Sequence, residues 1–186
     1  MENPKRVHIW NSFFGLAWDA AKRAHEHSTG KTCHDEFQPL GGTLPRDQHD
    51  ALATLALCNL AIEARANHLI EELVENGTVT EAVGRAARWL PTKEKWFLLP
   101  TLAGKASSLR DDAMPHQAVA SICELRNHLV HVNFDRLKDL PKPNTLQSYF
   151  RNFVEAMEDM NVILGRTDSS SKRPDVLRLG EFRECR

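Results

Sequence analysis

Period-2 runs of β-branched residues are missing from this chain, as are hairpin turns bounded by such runs, so nothing in it predicts a β-sheet. No apolar stretch approaches the roughly 20 residues of a membrane-spanning helix. The polar opening Met1-Glu2-Asn3-Pro4-Lys5-Arg6 lacks the following apolar run of a secretion signal. The four cysteines, Cys33, Cys58, Cys123 and Cys185, form no CxxC pair, and a disulfide framework is not expected at this size and spacing. Cys58 and Cys123 fall within helical patterns, where a reduced cysteine behaves as a small hydrophobe. Together these absences predict a chain without membrane association in a reducing, cytoplasmic compartment. One-sided charge is lacking too: 24 Lys and Arg stand against 25 Asp and Glu, a formal net charge of -1. No global field draws such a chain to nucleic acid, so any polyanion site must be local. Gly15 and Gly41-Gly42 have neither the strand-to-helix setting nor the lysine of a phosphate loop. His25, His27, Cys33 and His34 lack a second well-spaced ligand pair, which argues against zinc. No metal and no cofactor is expected.

What the chain does contain is helical periodicity. Trp10, Phe13, Phe14, Ala17, Trp18 and Ala21 recur by three and four, predicting a helix over residues 7–27. Glycine, proline and polar residues from Ser28 to Leu44 read as a loop. After Pro45 comes the longest pattern, with Leu52, Leu55, Asn59, Ile62, Ala66, Leu69 and Leu73 on one stripe. A second stripe of Leu57, Leu60, Ala61 and Ala64 predicts that this helix is covered from more than one side, and Asn76-Gly77 supplies its stop. Thr78 and Glu81 have capping-box spacing and open a short helix that Pro91 ends. A second short helix runs from Thr92 to Leu99 and stops before Pro100. Residues 101–113 read as a connection, with Asp111-Asp112 capping the next helix. That helix starts near Pro115 and carries Ala118, Ile122, Leu125 and Leu129 on one face. Pro141 and Pro143 interrupt, and Leu146, Tyr149, Phe150, Phe153, Met157, Met160 and Leu164 mark the last long helix. The expected architecture is all-α: an up-and-down four-helix bundle with additional short helices. It forms a single domain over 1–165, with its core in 46–164, helix 7–27 packed on it and a polar tail over 166–186.

The segment Arg126-Asn127-His128-Leu129-Val130-His131 is the leading candidate site. At about 100° per residue, Glu124, Asn127, His128 and His131 fall between about 140° and 240° from Ile122, opposite the core face. The flanking Val119, Cys123 and Val130 are apolar, which suits a face lining a cleft or a partner surface better than one simply solvated. Asn127 and His131 are one turn apart and can converge on one ligand. Histidine exchanges protons near neutral pH, and arginine presents a forked, permanently charged donor for phosphate oxygens. These groups suffice for phosphoryl transfer without metal. Arg126 and His131, however, stand about 140° apart on an ideal helix, so the aim of the Arg126 side chain decides whether they cooperate.

Arg126-Asn127-x-x-x-His131 resembles the Arg-x4-6-His motif of the HEPN superfamily (higher eukaryotes and prokaryotes nucleotide-binding), including the polar residue after the arginine. Glu124-Leu125 before the motif, the helix carrying Glu63 to Leu73, and Lys95-Trp96-x-x-Leu99-Pro100 between them are similar too, so the resemblance spans roughly Arg46 to Leu164. It implies a HEPN-like bundle that homodimerises with the motif helices facing across a groove. It also implies a metal-independent endoribonuclease, often a toxin or antiviral effector paired with an antitoxin protein. Such enzymes use 2′-hydroxyl attack to leave cyclic phosphate and 5′-hydroxyl ends. By position, His131 is then the acid/base, Arg126 the transition-state stabiliser and Asn127 the positioning residue. Other members of the superfamily are non-catalytic modules that bind RNA, a nucleotide or a partner protein.

Further candidates surround this motif. Arg85, Arg88, Lys93, Lys95, Lys105 and Arg110 gather between Gly84 and Arg110 against Glu94 alone, with Trp89 and Trp96 interleaved. They read either as phosphate contacts to RNA or as a solvated basic face whose tryptophans anchor the core. Glu63, Asn67 and His68 put polar groups into the long second helix: one of them lines the same cleft as His131, or they belong to a solvated face or a capped core polar group. His128 and Glu124 are candidate substrate contacts, with Arg88, Lys93 and Lys95.

Overall fold

A computed structural model describes residues 9–28, 46–105, 113–131 and 143–165. Its described residues form six helices and no strand: α1 (Ile9–Ser28), α2 (Arg46–Glu75), α3 (Glu81–Arg88), α4 (Thr92–Leu102), α5 (His116–His131) and α6 (Pro143–Ile163). The fold is all-α. None of these helices is long and apolar enough to cross a membrane. Residues 29–45, Arg110, Asp111-Asp112, Pro141 and the 166–186 tail lie outside the described residues.

The 30 residues of α2 contain neither glycine nor proline, so the helix runs unbroken and touches each of the other five. Of its second apolar stripe Ala61 is buried, Leu57 and Ala64 are half-buried and Leu60 is exposed. Ala61, Ile62, Ala66, Leu69 and Ile70 are all buried, and no single neighbour could cover them. α1 lies antiparallel to α2. Arg23 pairs with Asp50 at 3.2 Å near one end, while Arg65 stacks over Trp10 at 4.5 Å near the other. Their shared surface is built from small side chains, with Ala17, Ala20, Ala21, Ala24, Ala51, Cys58 and Ala61 buried. Small residues let two helix axes approach closely.

Bulk returns on the other side of α1, where Phe14 and Trp18 meet Phe150 and Phe153 of α6. Their ring centroids lie 5.6 to 5.9 Å apart in tilted geometry, within the favourable range for aromatic pairs. Arg65 also donates to Asn161 Oδ1 at 2.7 Å, joining α2 to α6. Trp96 of α4 is fully buried and donates its indole N–H to the Ile62 carbonyl at 3.2 Å.

Two local expectations change. The cap of α3 is Thr80, which accepts from the Val83 N–H at 3.4 Å. Thr78 is committed elsewhere: its N–H reaches the Leu73 carbonyl at 2.9 Å, and Gly77 N–H reaches Val74 at 3.0 Å. This is a Schellman ending to α2, with Gly77 at φ 70°. Pro100 does not stop α4, which continues to Leu102. Proline lacks the N–H that would bond the carbonyl four residues back, and that carbonyl, on Trp96, instead accepts from His116 Nε2 at 3.1 Å. Pro143, expected to bar a helix through its region, is the first residue of α6, where a missing N–H costs nothing.

Candidate functional site

Burial fades along α5. Ala118, Val119 and Ile122 belong to the core, Leu125 is half-buried, and Arg126 and Asn127 are exposed. Exposure thus rises from Ile122 to Arg126, although an ideal wheel puts the two side by side. Arg126 Nη1 donates to Asn127 Oδ1 at 2.9 Å. The fork of Arg126 is thus drawn toward the Asn127 side of the helix. The backbone remains α-helical to His131. The side chains of His128, Leu129, Val130 and His131 lie outside what the structure describes.

One turn before Asn127, Cys123 faces the bundle. Its Sγ accepts from Asn59 Nδ2 of α2 at 3.5 Å. Burial pushes the thiol up to about 11, with Glu63 and Glu94 adding to the rise and Asn59 and Lys93 opposing it. The thiol therefore stays protonated at neutral pH and is no nucleophile. Glu124, on the solvent side, pairs with Lys93 of α4 at 3.7 Å, which ties the outer face of α5 to the start of α4.

Glu63 sits at the junction of α2 and α4. Its carboxylate accepts from Thr92 Oγ1 and from Lys95 Nζ, and from Asn67 Nδ2 at 3.3 Å. Lys95 is only 2% exposed. A buried ammonium needs a paired and hydrogen-bonded counter-charge, and Glu63, on the adjacent helix, supplies it. Lys95 is therefore an interhelical tie and not a surface phosphate contact.

The rest of the basic stretch is largely matched by acids. Arg88 lies 3.6 Å from Glu71 and 3.3 Å from Glu81, and Arg85 lies 4.0 Å from Glu81. The sequence shows one acid among these bases; the fold brings Glu71, Glu63 and Glu124 to them from α2 and α5. Trp96 is a core anchor, but Trp89, beyond the end of α3, is 86% exposed.

The candidates thus separate into three places. Arg126, Asn127 and Glu124, with Lys93, share the outer end of α5. Glu63, Asn67 and Lys95 form the α2–α4 tie, and the Glu63 charge is felt at Cys123 of α5. Arg88 belongs to a separate surface with Glu71 and Glu81. Sequence reasoning passed over Thr92, Asn59 and His116. Thr92 and Lys95 are three residues apart and so share a helix face, which was the available signal. Among the described residues, no group of three or more His, Cys, Asp and Glu is placed to hold a metal ion. No protein-family model, curated protein or solved structure matches the chain.

Proposed function

We propose that the protein is a metal-independent endoribonuclease of HEPN type, organised as a four-helix bundle with added short helices, whose site is the outer end of α5. The observation that carries this reading is the pairing of Arg126 with Asn127, both exposed, on a helix whose backbone continues to His131. A site turned away from its own core is completed most simply by a second copy, so the proposed unit is a homodimer with two α5 helices across one groove.

In the proposed reaction the 2′-oxygen attacks the adjacent phosphorus while an imidazole of His131 takes its proton. The bond from phosphorus to the 5′-oxygen breaks, and an imidazolium returns a proton to that leaving oxygen. Products are a 2′,3′-cyclic phosphate and a 5′-hydroxyl. Arg126 stabilises the extra negative charge on the phosphoryl oxygens, and Asn127 holds the guanidinium in place. A toxin or phage-defence effector restrained by a partner protein is the proposed setting.

A second reading has its own support. Because carboxylates accompany Arg85, Arg88, Lys93 and Lys95, the stretch that looked basic offers little net field for RNA. That favours a non-catalytic module binding a partner protein or nucleotide through the same groove. The two readings part on one assay: RNA incubated with the protein in EDTA, alongside His131→Ala and Arg126→Ala. Cleavage that persists in chelator and vanishes in both variants supports the enzyme. Absence of cleavage with every RNA, with or without a partner protein, refutes it.

A further inference from the structure

Far from Arg126, three helices end around one cleft of about 170 Å³, lined by Leu69, Glu72, Leu73, Asn76, Ala103 and Leu164. Asn76, Ala103 and Leu164 are the residues that follow the ends of α2, α4 and α6. Each is followed by a glycine in the left-handed region: Gly77 at φ 70°, Gly104 at φ 68° and Gly165 at φ 71°. The same αL ending therefore occurs three times around one opening. α2 separates this cleft from the Leu125 end of α5 by about 25–30 Å, at 1.5 Å per residue from Leu55 to Leu73.

Among the residues that line the cleft, charge has one sign. Each helix C-terminus carries a partial negative charge of about half an electron, and here three converge. The Glu72 carboxylate adds a full charge at the wall, with one oxygen 3.4 Å from His68 Nε2. Among the lining residues there is no basic side chain. The protein already places a cation beside one of these ends: Lys105 Nζ would stand 3.4 Å from a Cβ built on Gly165. Leu69, Leu73, Ala103 and Leu164 make the remaining wall apolar, so the cleft combines a negative field with a surface that favours hydrocarbon. The apolar part of the wall sets an organic cation apart from an inorganic one, because only the former gains by contact with Leu69, Leu73 and Leu164.

We propose that this cleft is a binding site for a small organic monocation with a short hydrocarbon part, an alkylammonium or alkylguanidinium. Its charged head lies toward Glu72 and the helix ends, and its alkyl part against Leu69, Leu73 and Leu164. The site is independent of the ribonuclease reading and survives if that reading fails.

The test is a ¹H–¹⁵N NMR titration of the full chain with butylammonium chloride, using sodium chloride at equal ionic strength and butan-1-ol as controls. The expected result is saturable shifts centred on the amides of Asn76, Gly77, Ala103, Gly104 and Gly165, absent with both controls. Glu72→Gln is expected to weaken binding about tenfold or more, the usual scale for losing a charged hydrogen-bond partner. Ala103→Leu, which fills the cleft and keeps the carboxylate, is expected to abolish it, so the claim does not depend on one variant folding. Absence of saturable shifts, equal shifts with butan-1-ol, or unchanged affinity in a folded variant of either kind overturns the proposal.

Discussion

Arg126 Nη1 donates to Asn127 Oδ1 across 2.9 Å, so two neighbours separated by about 100° on the helix wheel present one joint polar group. Arginine can bridge that angle because its stem is long and its fork planar; lysine has a single ammonium and cannot hold a neighbour and a phosphate in the same plane. If the proposed ribonuclease reading holds, Arg126→Lys lowers RNA cleavage by about 100-fold, the scale of removing one transition-state donor. Stability should stay within about 0.5 kcal/mol, since both residues are exposed. Single-turnover cleavage and urea melts on the same sample check both halves.

The Trp96 carbonyl that Pro100 leaves free is filled by His116, which is 1% exposed and stacked on Phe97 with centroids 4.2 Å apart. His116→Leu removes the donor and strands a buried acceptor, which costs about 1–3 kcal/mol. Adding Pro100→Ala restores a backbone N–H for that carbonyl. The double variant should recover part of the loss, so the two changes are non-additive in chemical denaturation.

Glu63 and Lys95 are unequal partners, because Lys95 is 2% exposed and Glu63 32% exposed. Lys95→Met leaves a carboxylate that water and Thr92 still reach; Glu63→Leu leaves an ammonium with no counter-charge in the core. Breaking a buried pair costs about 3–5 kcal/mol, and Glu63→Leu should approach that scale. Lys95→Met should cost less, on the order of 1–2 kcal/mol, because solvent screens the exposed side. The reverse ranking in urea unfolding contradicts the burial argument.

Cys123 gives a pH signature. Its folded value, pushed up to about 11, exceeds the ordinary 9.0, so the folded state holds the thiol proton more tightly than the unfolded chain does. Its contribution is fully present below about pH 9 and is lost as pH rises from 9 toward 11. The same shift predicts slow alkylation: at pH 8 Cys123 should react with iodoacetamide well below the rate of an unfolded control. Asn59→Leu, which removes the hydrogen bond that favours the thiolate, should slow it further. Peptide mapping by mass spectrometry reads both.

The elements were legible because their signals are local. Three- and four-residue spacing from Trp10 to Ala21 and from Leu52 to Leu73 marks α1 and α2, and Asn76-Gly77 marks a stop that the Gly77 conformation fulfils. Where sequence and structure differ, a partner distant in sequence decides the outcome. Pro100 has the local signature of a terminator, but His116, sixteen residues on, donates to the carbonyl that Pro100 cannot reach, and α4 continues. Trp89 and Trp96 look alike in sequence and part completely in space, since only Trp96 meets the Ile62 carbonyl. The basic stretch was read from its own residues, while the acids that match it come from α2 and α5. The outward turn of Arg126 and Asn127 was half visible: the wheel placed Asn127 outside, but only the fading of burial along α5 explains Arg126.

The central claim is that α5 carries a metal-independent ribonuclease, and the most direct measurement is end-group analysis of RNA treated in EDTA by wild-type protein and by His131→Ala. The expected result is 2′,3′-cyclic phosphate and 5′-hydroxyl ends with wild type, and intact RNA with a folded His131→Ala variant. Intact RNA with wild type, 3′-hydroxyl and 5′-phosphate ends, or undiminished cleavage by His131→Ala would contradict it.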